Sequence, residues 1–303
     1  MIIFMEKVMN ISSWIETNTT SLSGKTVAIT GSTGGLGREI CKHIAALGGN
    51  LIFVDRNKEK SEAHMKEIRD RFPGISIAGV TVNLENIDSV KRAVENLKKH
   101  HIDVFIHNSG VYNTPRYECS TGYDNVFQIN FVSPYYIIKD LIPQIKKRKG
   151  KVVVVGSISN SFSRADINDV DFSKVSSDIK VYGNSKRYLM YSLHELFKDE
   201  KGISLSVVHP GITPTNITSG YPKAISKIIK YPMKLIFTAP EKASLSAVRG
   251  IFEKTEYHTW IGPRVFGIWG FPVKSELKSC SIEESEYISD IAEKIYEKCK
   301  AMK

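Results

Sequence analysis

Tyr182 and Lys186 stand four apart in Tyr182-Gly183-Asn184-Ser185-Lys186, and residues four apart on a helix share a face. A cation held beside a phenol favours the phenolate, lowering a pKa that starts near 10 toward the working range. Such a tyrosine takes a proton from an alcohol, or gives one to a carbonyl, while hydride moves at the adjacent carbon. The spacing by itself is unspecific, because Tyr135 with Lys139 and Tyr296 with Lys300 repeat it. Position separates them. Only Tyr182 opens a helix downstream of an apolar run ending in Gly156-Ser157, which places it at the carboxyl edge of a sheet, where open α/β sheets bind their ligands.

A second constellation lies near the start of the chain. Thr26 to Ile29 is a short apolar run, and Thr30-Gly31-Ser32-Thr33-Gly34-Gly35-Leu36-Gly37 follows it. Glycines let a phosphate approach the backbone, and the helix N-terminus behind them offers unpaired N–H donors. The spacing is Gly-x3-Gly-x-Gly, which predicts a dinucleotide site. Asp55 closes the second apolar run, 24 residues beyond Gly31. A carboxylate there accepts hydrogen bonds from an adenosine ribose and repels a 2′-phosphate, whereas Arg56 beside it attracts that phosphate. The carboxylate favours NAD over NADP, with the choice left open by Arg56.

The elements that must position these residues read as alternating strands and helices. Apolar runs at 26–29, 51–54, 75–82, 104–106, 151–155 and 204–208 alternate with helical periodicities at 36–47, 58–72, 89–100, 123–147 and 181–197. Strands that are apolar throughout imply a parallel sheet covered on both faces. The expected fold is α/β, a Rossmann-type doubly wound parallel sheet. One domain is expected over 25–303, with residues 1–24 a disordered leader, a substrate lid at 212–237 and a C-terminal extension at 258–303. The 303 residues have ordinary globular composition and a net charge of +10, which excludes a disordered or collagenous chain. Most of the excess charge sits in Lys146, Lys147, Arg148, Lys149 and Lys151, and in Lys223, Lys227, Lys230 and Lys234. Basicity this local argues against a nucleic-acid partner. The first cluster closes a helix, where cations complement the dipole. Cys41, Cys119, Cys280 and Cys299 show no paired spacing and, without an export signal, read as reduced thiols in the cytoplasm. The eight histidines form no ligand set, and no metal is expected.

From about Leu22 to Pro214 the chain resembles a classical short-chain dehydrogenase/reductase. The resemblance rests on Thr30 to Gly37, on His107-Asn108-Ser109-Gly110, on Asn130 in Phe127-Gln128-Ile129-Asn130, on Ser157, on Tyr182 with Lys186, and on Pro210-Gly211 with Thr215. It implies Tyr182 as acid/base, Lys186 as its pKa-lowering partner and ribose anchor, Ser157 as the residue that orients the carbonyl or alcohol, and Asn130 as holder of a relay water. It further implies cofactor contacts from Gly31, Thr33, Gly35, Leu36 and Gly37, from Asp55 and Arg56, from Asn83 and Leu84 beside the adenine, from Asn108, Ser109 and Gly110, and from Pro210, Gly211 and Thr215 around the nicotinamide. His107 stands where the family usually has Asn, and Asn83 where it usually has Asp. Asn168-Asp169-Val170-Asp171-Phe172 and Gly270-Phe271-Pro272-Val273 are similar to the retinol-dehydrogenase-like branch, which implies a bulky lipophilic alcohol or ketone. The family also implies a homodimer or homotetramer built through the Tyr182 helix.

Pro222 to Phe237 is the expected lid. Ile225, Ile228 and Ile229 share one helical face, with Lys223, Lys227 and Lys230 around the other. Two roles suit it, a roof over a nonpolar substrate or a peripheral contact with anionic membrane lipid; a surface helix packing on its own core has the same pattern. Two other functions are compatible with the motifs: the same chemistry on a small polar or sugar-like carbonyl, and a redox sensor that binds the dinucleotide without turnover.

Overall fold

The computed structural model describes residues 9–213 and 238–302. The expected lid at 222–237, the greater part of 212–237, and Thr215 lie outside the described residues.

Strands β1 (Thr26–Thr30), β2 (Asn50–Asp55), β3 (Ile77–Thr81), β4 (Val104–His107), β5 (Lys151–Val155) and β6 (Ser204–Val208) are joined by helices. These are α2 (Gly35–Ala46), α3 (Lys58–Arg71), α4 (Ile87–Leu97), α5 (Ser133–Lys147) and α6 (Asp178–Phe197), with α1 (Ile11–Asn18) preceding β1. After the undescribed segment come α7 (Leu245–Phe252), β7 (Thr259–Val265), β8 (Trp269–Glu276) and α8 (Ile282–Ala301). The sheet order is β3-β2-β1-β4-β5-β6-β7-β8. All neighbours are parallel except β7 and β8. The order reverses between β1 and β4, so the loops leaving those two strands splay apart and open a crevice at the carboxyl edge.

Alternation within the strands sorts the core. Ala28, Phe105, Val152 and Val154 face α4, α5, α6 and α8, while Val27, Ile29, Val104, Ile106 and Val153 face α2, α3 and α7. Burial on both faces is why these strands are apolar at every position. The six expected strands are present, with β3 shorter than the 75–82 run. The C-terminal extension adds two more strands, the last of them antiparallel. The helix expected at 89–100 begins two residues earlier, because the Asn86 side chain accepts from Ser89 N at 2.8 Å and caps it. The helix expected over 123–147 is interrupted: a turn at Asn125–Phe127 passes into a π-helical stretch, Gln128–Val132, before α5.

Two further departures involve the chain ends. The described part of the leader is ordered: Asn10 caps α1 by accepting from Ser13 N at 2.8 Å, and Trp14 is 2% exposed. Its ring stacks on Phe271, with centroids 6.1 Å apart, beside Leu245 and Val248. At the other end, Ser281 and Glu284 form the Ser-x-x-Glu start of α8, and Ile288, Ala292, Ile295 and Tyr296 recur along its buried face. That face covers α6 and α5, with Tyr296 donating to Asp140 at 2.7 Å and Glu284 pairing with Arg187. The outer face of the Tyr182 helix, where the resemblance implies a second subunit, is thus covered by the chain's own α8.

Trp14→Ala should lower stability by up to about 3 kcal/mol, the usual cost of emptying a large aromatic site. A urea midpoint indistinguishable from the parent would show that α1 does not contribute to the core.

Candidate active site

The glycine turn is built against the strand that adjoins β1. An ideal Cβ on Gly37 would fall 2.0 Å from the Gly31 carbonyl oxygen, and one on Gly31, whose φ is +71°, would fall 2.8 Å from Ser109 Oγ. Neither position admits a side chain. Asn108 closes the seam: its Nδ2 donates to the carbonyls of Thr30 and Gly31, at 3.2 and 3.1 Å. Thr30 Oγ1 accepts from the amides of Asn108 and Ser109, both at 3.0 Å, and contacts His107 Nδ1 at 3.0 Å. His107 therefore does serve strand packing, and Thr30, not singled out as a site residue, is the hub that joins β1 to β4. Its place at the end of the first strand was the available signal.

The N-terminus of α2 has no side-chain cap, and Gly34 and Gly35 are exposed beside partly exposed Thr33 and Leu36. An uncapped, positive helix end with no Cβ in the way forms a cradle that fits a pyrophosphate. Asp55 is 5% exposed and its Oδ2 accepts from Ser32 Oγ at 2.5 Å and Ser61 Oγ at 3.0 Å. Burial raises its pKa against the pull of those hydroxyls and of the Ser32 and Thr33 amides. Arg56 instead turns outward to Glu85, at 3.1 Å. Asn83 Oδ1 accepts from Glu85 N at 3.2 Å, and the Leu84 carbonyl accepts from Ser133 Oγ at 2.6 Å.

Around the reacting end, the chain brings Asn130, Ser157, Tyr182 and Lys186 together. Gly110 lies among them, where an ideal Cβ would be 3.1 Å from Asn130 Oδ1 and 3.3 Å from Lys186 Nζ. Asn130 is fully buried, and its side chain is committed to protein. Oδ1 accepts from Val111 N at 2.8 Å, and Nδ2 donates to Val111 O and Ser185 Oγ. It fixes the loop after β4. Ser157 leaves β5 in extended backbone and its hydroxyl is bonded to the Tyr182 phenol. Tyr112, absent from the sequence-derived set, meets the Tyr182 ring edge-on, with centroids 5.4 Å apart at 76°. Pro210 and Gly211 follow β6, with Gly211 beneath the Ile268 carbonyl of the β7–β8 turn.

The Tyr182 shift runs upward, opposite to the expected direction, and burial is its largest cause. Burial pushes the phenol up to about 12, with the Ser157 hydrogen bond opposing and Tyr112 adding to the rise. Lys186 is 2% exposed, and burial alone pushes it down to about 8. Its Nζ donates to the Val155 carbonyl at 2.9 Å and stands 5.8 Å from the centre of the Tyr182 ring. Both groups are desolvated, so each favours its neutral form. A phenol so perturbed is protonated at neutral pH, the state that gives a proton to a carbonyl.

The sign of the Lys186 shift is testable. Folded Lys186 titrates at about 8, below the 10.5 of a free lysine. Burying the ammonium therefore costs stability below about pH 8, and the cost fades as pH rises toward 10.5. Lys186→Met should reduce turnover by about 100-fold or more, yet raise the thermal midpoint at pH 7. That gain should shrink from pH 8 upward; a gain flat with pH would show that the ammonium is solvated.

No described helix is long and apolar enough to cross a membrane. Comparison with known proteins agrees with the geometry. The chain is 30% identical over 249 residues to the 3-oxoacyl-acyl-carrier-protein reductase FabG of Buchnera aphidicola, covering 74% of this chain and 93% of that protein. It is 24% identical over 234 residues to mouse retinol dehydrogenase 13, covering 74% and 70%. A crystal structure of an uncharacterized protein from Mycobacterium paratuberculosis superposes with a TM-score of 0.73 at 20% identity, over 93% of this chain and 96% of that one. The short chain dehydrogenase family model matches residues 25–225, and the protein belongs to this family of oxidoreductases.

Proposed function

We propose that the protein passes hydride between a nicotinamide cofactor and a secondary alcohol or ketone, with Tyr182 moving the proton. The observation that carries this reading is the arrangement of Ser157, Tyr182 and Lys186 at the carboxyl edge, one hydroxyl bonded to the phenol and one buried ammonium behind it. A dinucleotide, when bound, supplies or accepts the hydride. The chain would hold its pyrophosphate at the Gly31–Gly37 turn, its adenosine ribose at Asp55 and its nicotinamide end near Gly110, Lys186, Pro210 and Gly211. Tyr182 gives its proton to the substrate oxygen during reduction and takes it back during oxidation. Ser157 holds that oxygen in place, and Lys186 favours the phenolate as it forms.

Asp55 supports NAD over NADP in this reading, since a buried carboxylate stands where a 2′-phosphate would lie and Arg56 is engaged with Glu85. A bulky lipophilic substrate, steroid- or retinoid-like, is supported by the rim. Phe162 follows Ser157 by five residues and is 56% exposed, Ile179 precedes Tyr182 by three, and Phe266, 87% exposed, tips the β7–β8 turn. That turn lies over Ile158, which an ideal Cβ on Gly267 would approach to 3.9 Å. The relatives named for retinol and for an acyl-chain carbonyl fit the same substrate class. A cytoplasmic enzyme reaching such a substrate at a membrane surface is part of the reading. Assembly through α6 is not, because α8 covers it.

NADH and NADPH fluorescence titrations, followed by turnover of steroid, retinoid and small ketones, test the proposal. Tighter NADH binding and rates rising with apolar size are expected. Rates falling with apolar size would move the substrate to a small polar carbonyl, and binding without turnover would leave a redox sensor. Asp55→Ala should raise NADPH use relative to NADH by about tenfold, as removal of a repelling charge does. An unchanged ratio would take Asp55 away from the ribose.

A further inference from the structure

Ser157 has one hydrogen to give and two lone pairs to offer. Two groups from a single residue reach its oxygen. The Ser159 amide donates to Ser157 Oγ at 3.2 Å, and Ser159 Oγ lies 2.8 Å from the same atom. Ser159 is 6% exposed. The Ser157 hydroxyl also bonds the Tyr182 phenol and acts there to lower its pKa, the mark of a donor to the phenolate. A hydroxyl that donates to Tyr182 has no second hydrogen for Ser159. The Ser159 hydroxyl is then the donor in the 2.8 Å contact, and proton counting sets the direction of the whole chain, from Ser159 to Ser157 to Tyr182.

We propose that Ser159 is a positioning residue for the reaction: it fills both lone pairs of Ser157 and thereby turns the single Ser157 hydrogen outward, to Tyr182 in the structure and to the substrate oxygen when one is bound. The inference rests on the proposed hydride-transfer function and adds a residue that the motifs do not contain. Hydroxyls in series polarise one another in a low-dielectric site, so the Ser159 bond also strengthens the donation that Ser157 makes. The segment carrying Ser159 is fixed from behind. Asn160 Nδ2 donates to the Ser157 carbonyl at 2.8 Å, Arg187 Nη1 donates to the Asn160 carbonyl at 3.1 Å, and the Ser279 hydroxyl donates to Asn160 Oδ1. Ser159 is therefore presented by a loop whose own polar groups are already paired.

The test compares Ser159→Ala, Ser159→Thr, Ser159→Cys and Ser157→Ala, assayed with NADH and a steroid ketone and, in reverse, with NAD and the steroid alcohol. Ser159→Ala is expected to lower kcat about fivefold to tenfold, the weight of one hydrogen bond, with KM and NADH affinity nearly unchanged. The limb of the oxidation pH profile that reports Tyr182 should move to higher pH, because the phenolate loses part of its hydrogen-bond support. Ser159→Thr, which keeps the hydroxyl, should restore both rate and profile. Ser159→Cys, a poorer donor of similar size, should behave like Ser159→Ala and gives the same reading if the alanine variant folds poorly. Parental kcat and pH profile in Ser159→Ala would overturn the inference, as would a rate loss with an unmoved profile that threonine does not rescue. If Ser157→Ala itself turns over normally, the proposed function fails, whatever the Ser159 variants show.

Discussion

The bond from the Lys186 ammonium to the Val155 carbonyl, 2.9 Å long and almost closed to water, is the constraint that orders the rest of the site. A lysine stem reaches the end of β5 from within α6 only if the helix lies close against the sheet, and nearly every residue from Gly183 to Glu195 is buried as a result. Close packing of α6 in turn sets Tyr182 one turn ahead of Lys186, over the place where Ser157 leaves β5. Among the described residues no carboxylate pairs with the ammonium, and desolvation accounts for the Lys186 shift. A buried cation without a counter-ion destabilises a fold, so Lys186 is a cost the fold carries at the centre of the candidate site.

The seam between β1 and β4 supplies the complementary half. Parallel strands on either side of a topological reversal would ordinarily let their loops diverge. Here Thr30 Oγ1 gathers two amides from the opposite loop, and Asn108 returns two bonds to the glycine turn. The turn is held rigid, with the Gly34 amide on the Gly31 carbonyl at 3.3 Å, while the N-terminus of α2 keeps no side-chain cap. Asn130 then ties the far end of the same loop to α6 through Val111 and Ser185. The glycine turn and the Tyr182 helix are therefore parts of one hydrogen-bonded frame rather than two sites that happen to adjoin.

Much of this was legible in the sequence where local chemistry and global fold agree. The apolar strands, the glycine turn and the helical Tyr182/Lys186 pair are short-range patterns, and the tertiary structure preserves them. Other features depend on partners that no spacing reveals. Trp14 looks like part of a loose leader until Phe271, more than two hundred residues later, stacks on it. Strands β7 and β8 carry Gly262, Pro263, Gly270 and Pro272, residues that weaken a strand reading although an edge hairpin tolerates them. Asn86 caps α4 from its own side chain, which starts the helix two residues before the apolar periodicity does. The direction of the Tyr182 shift was beyond reach, because it depends on how completely phenol and ammonium are desolvated, and spacing is silent on burial. Ser159 was visible only as one serine among several after Ser157.

The C-terminal extension joins these observations. Read alone, α8 is an amphipathic helix opened by Ser281 and Glu284. In the fold it does two things at once. Its apolar stripe, Ile288, Ala292 and Ile295, packs into one core with α6 and α5. Its first turn sends Glu284 to Arg187, which is 1% exposed at its side chain and which also grips the carbonyls of Asn160 and Ser279. Arg187 is the residue next to Lys186, and Asn160 is the residue next to Ser159. Removal of the Glu284 carboxylate would leave a buried guanidinium unpaired, a costly state, and the loop that bears Ser157 would lose its anchor. The same short extension that packs on the Tyr182 helix thus also holds the Ser157 loop in register with it, and this couples the stability of α8 to the geometry of the candidate site.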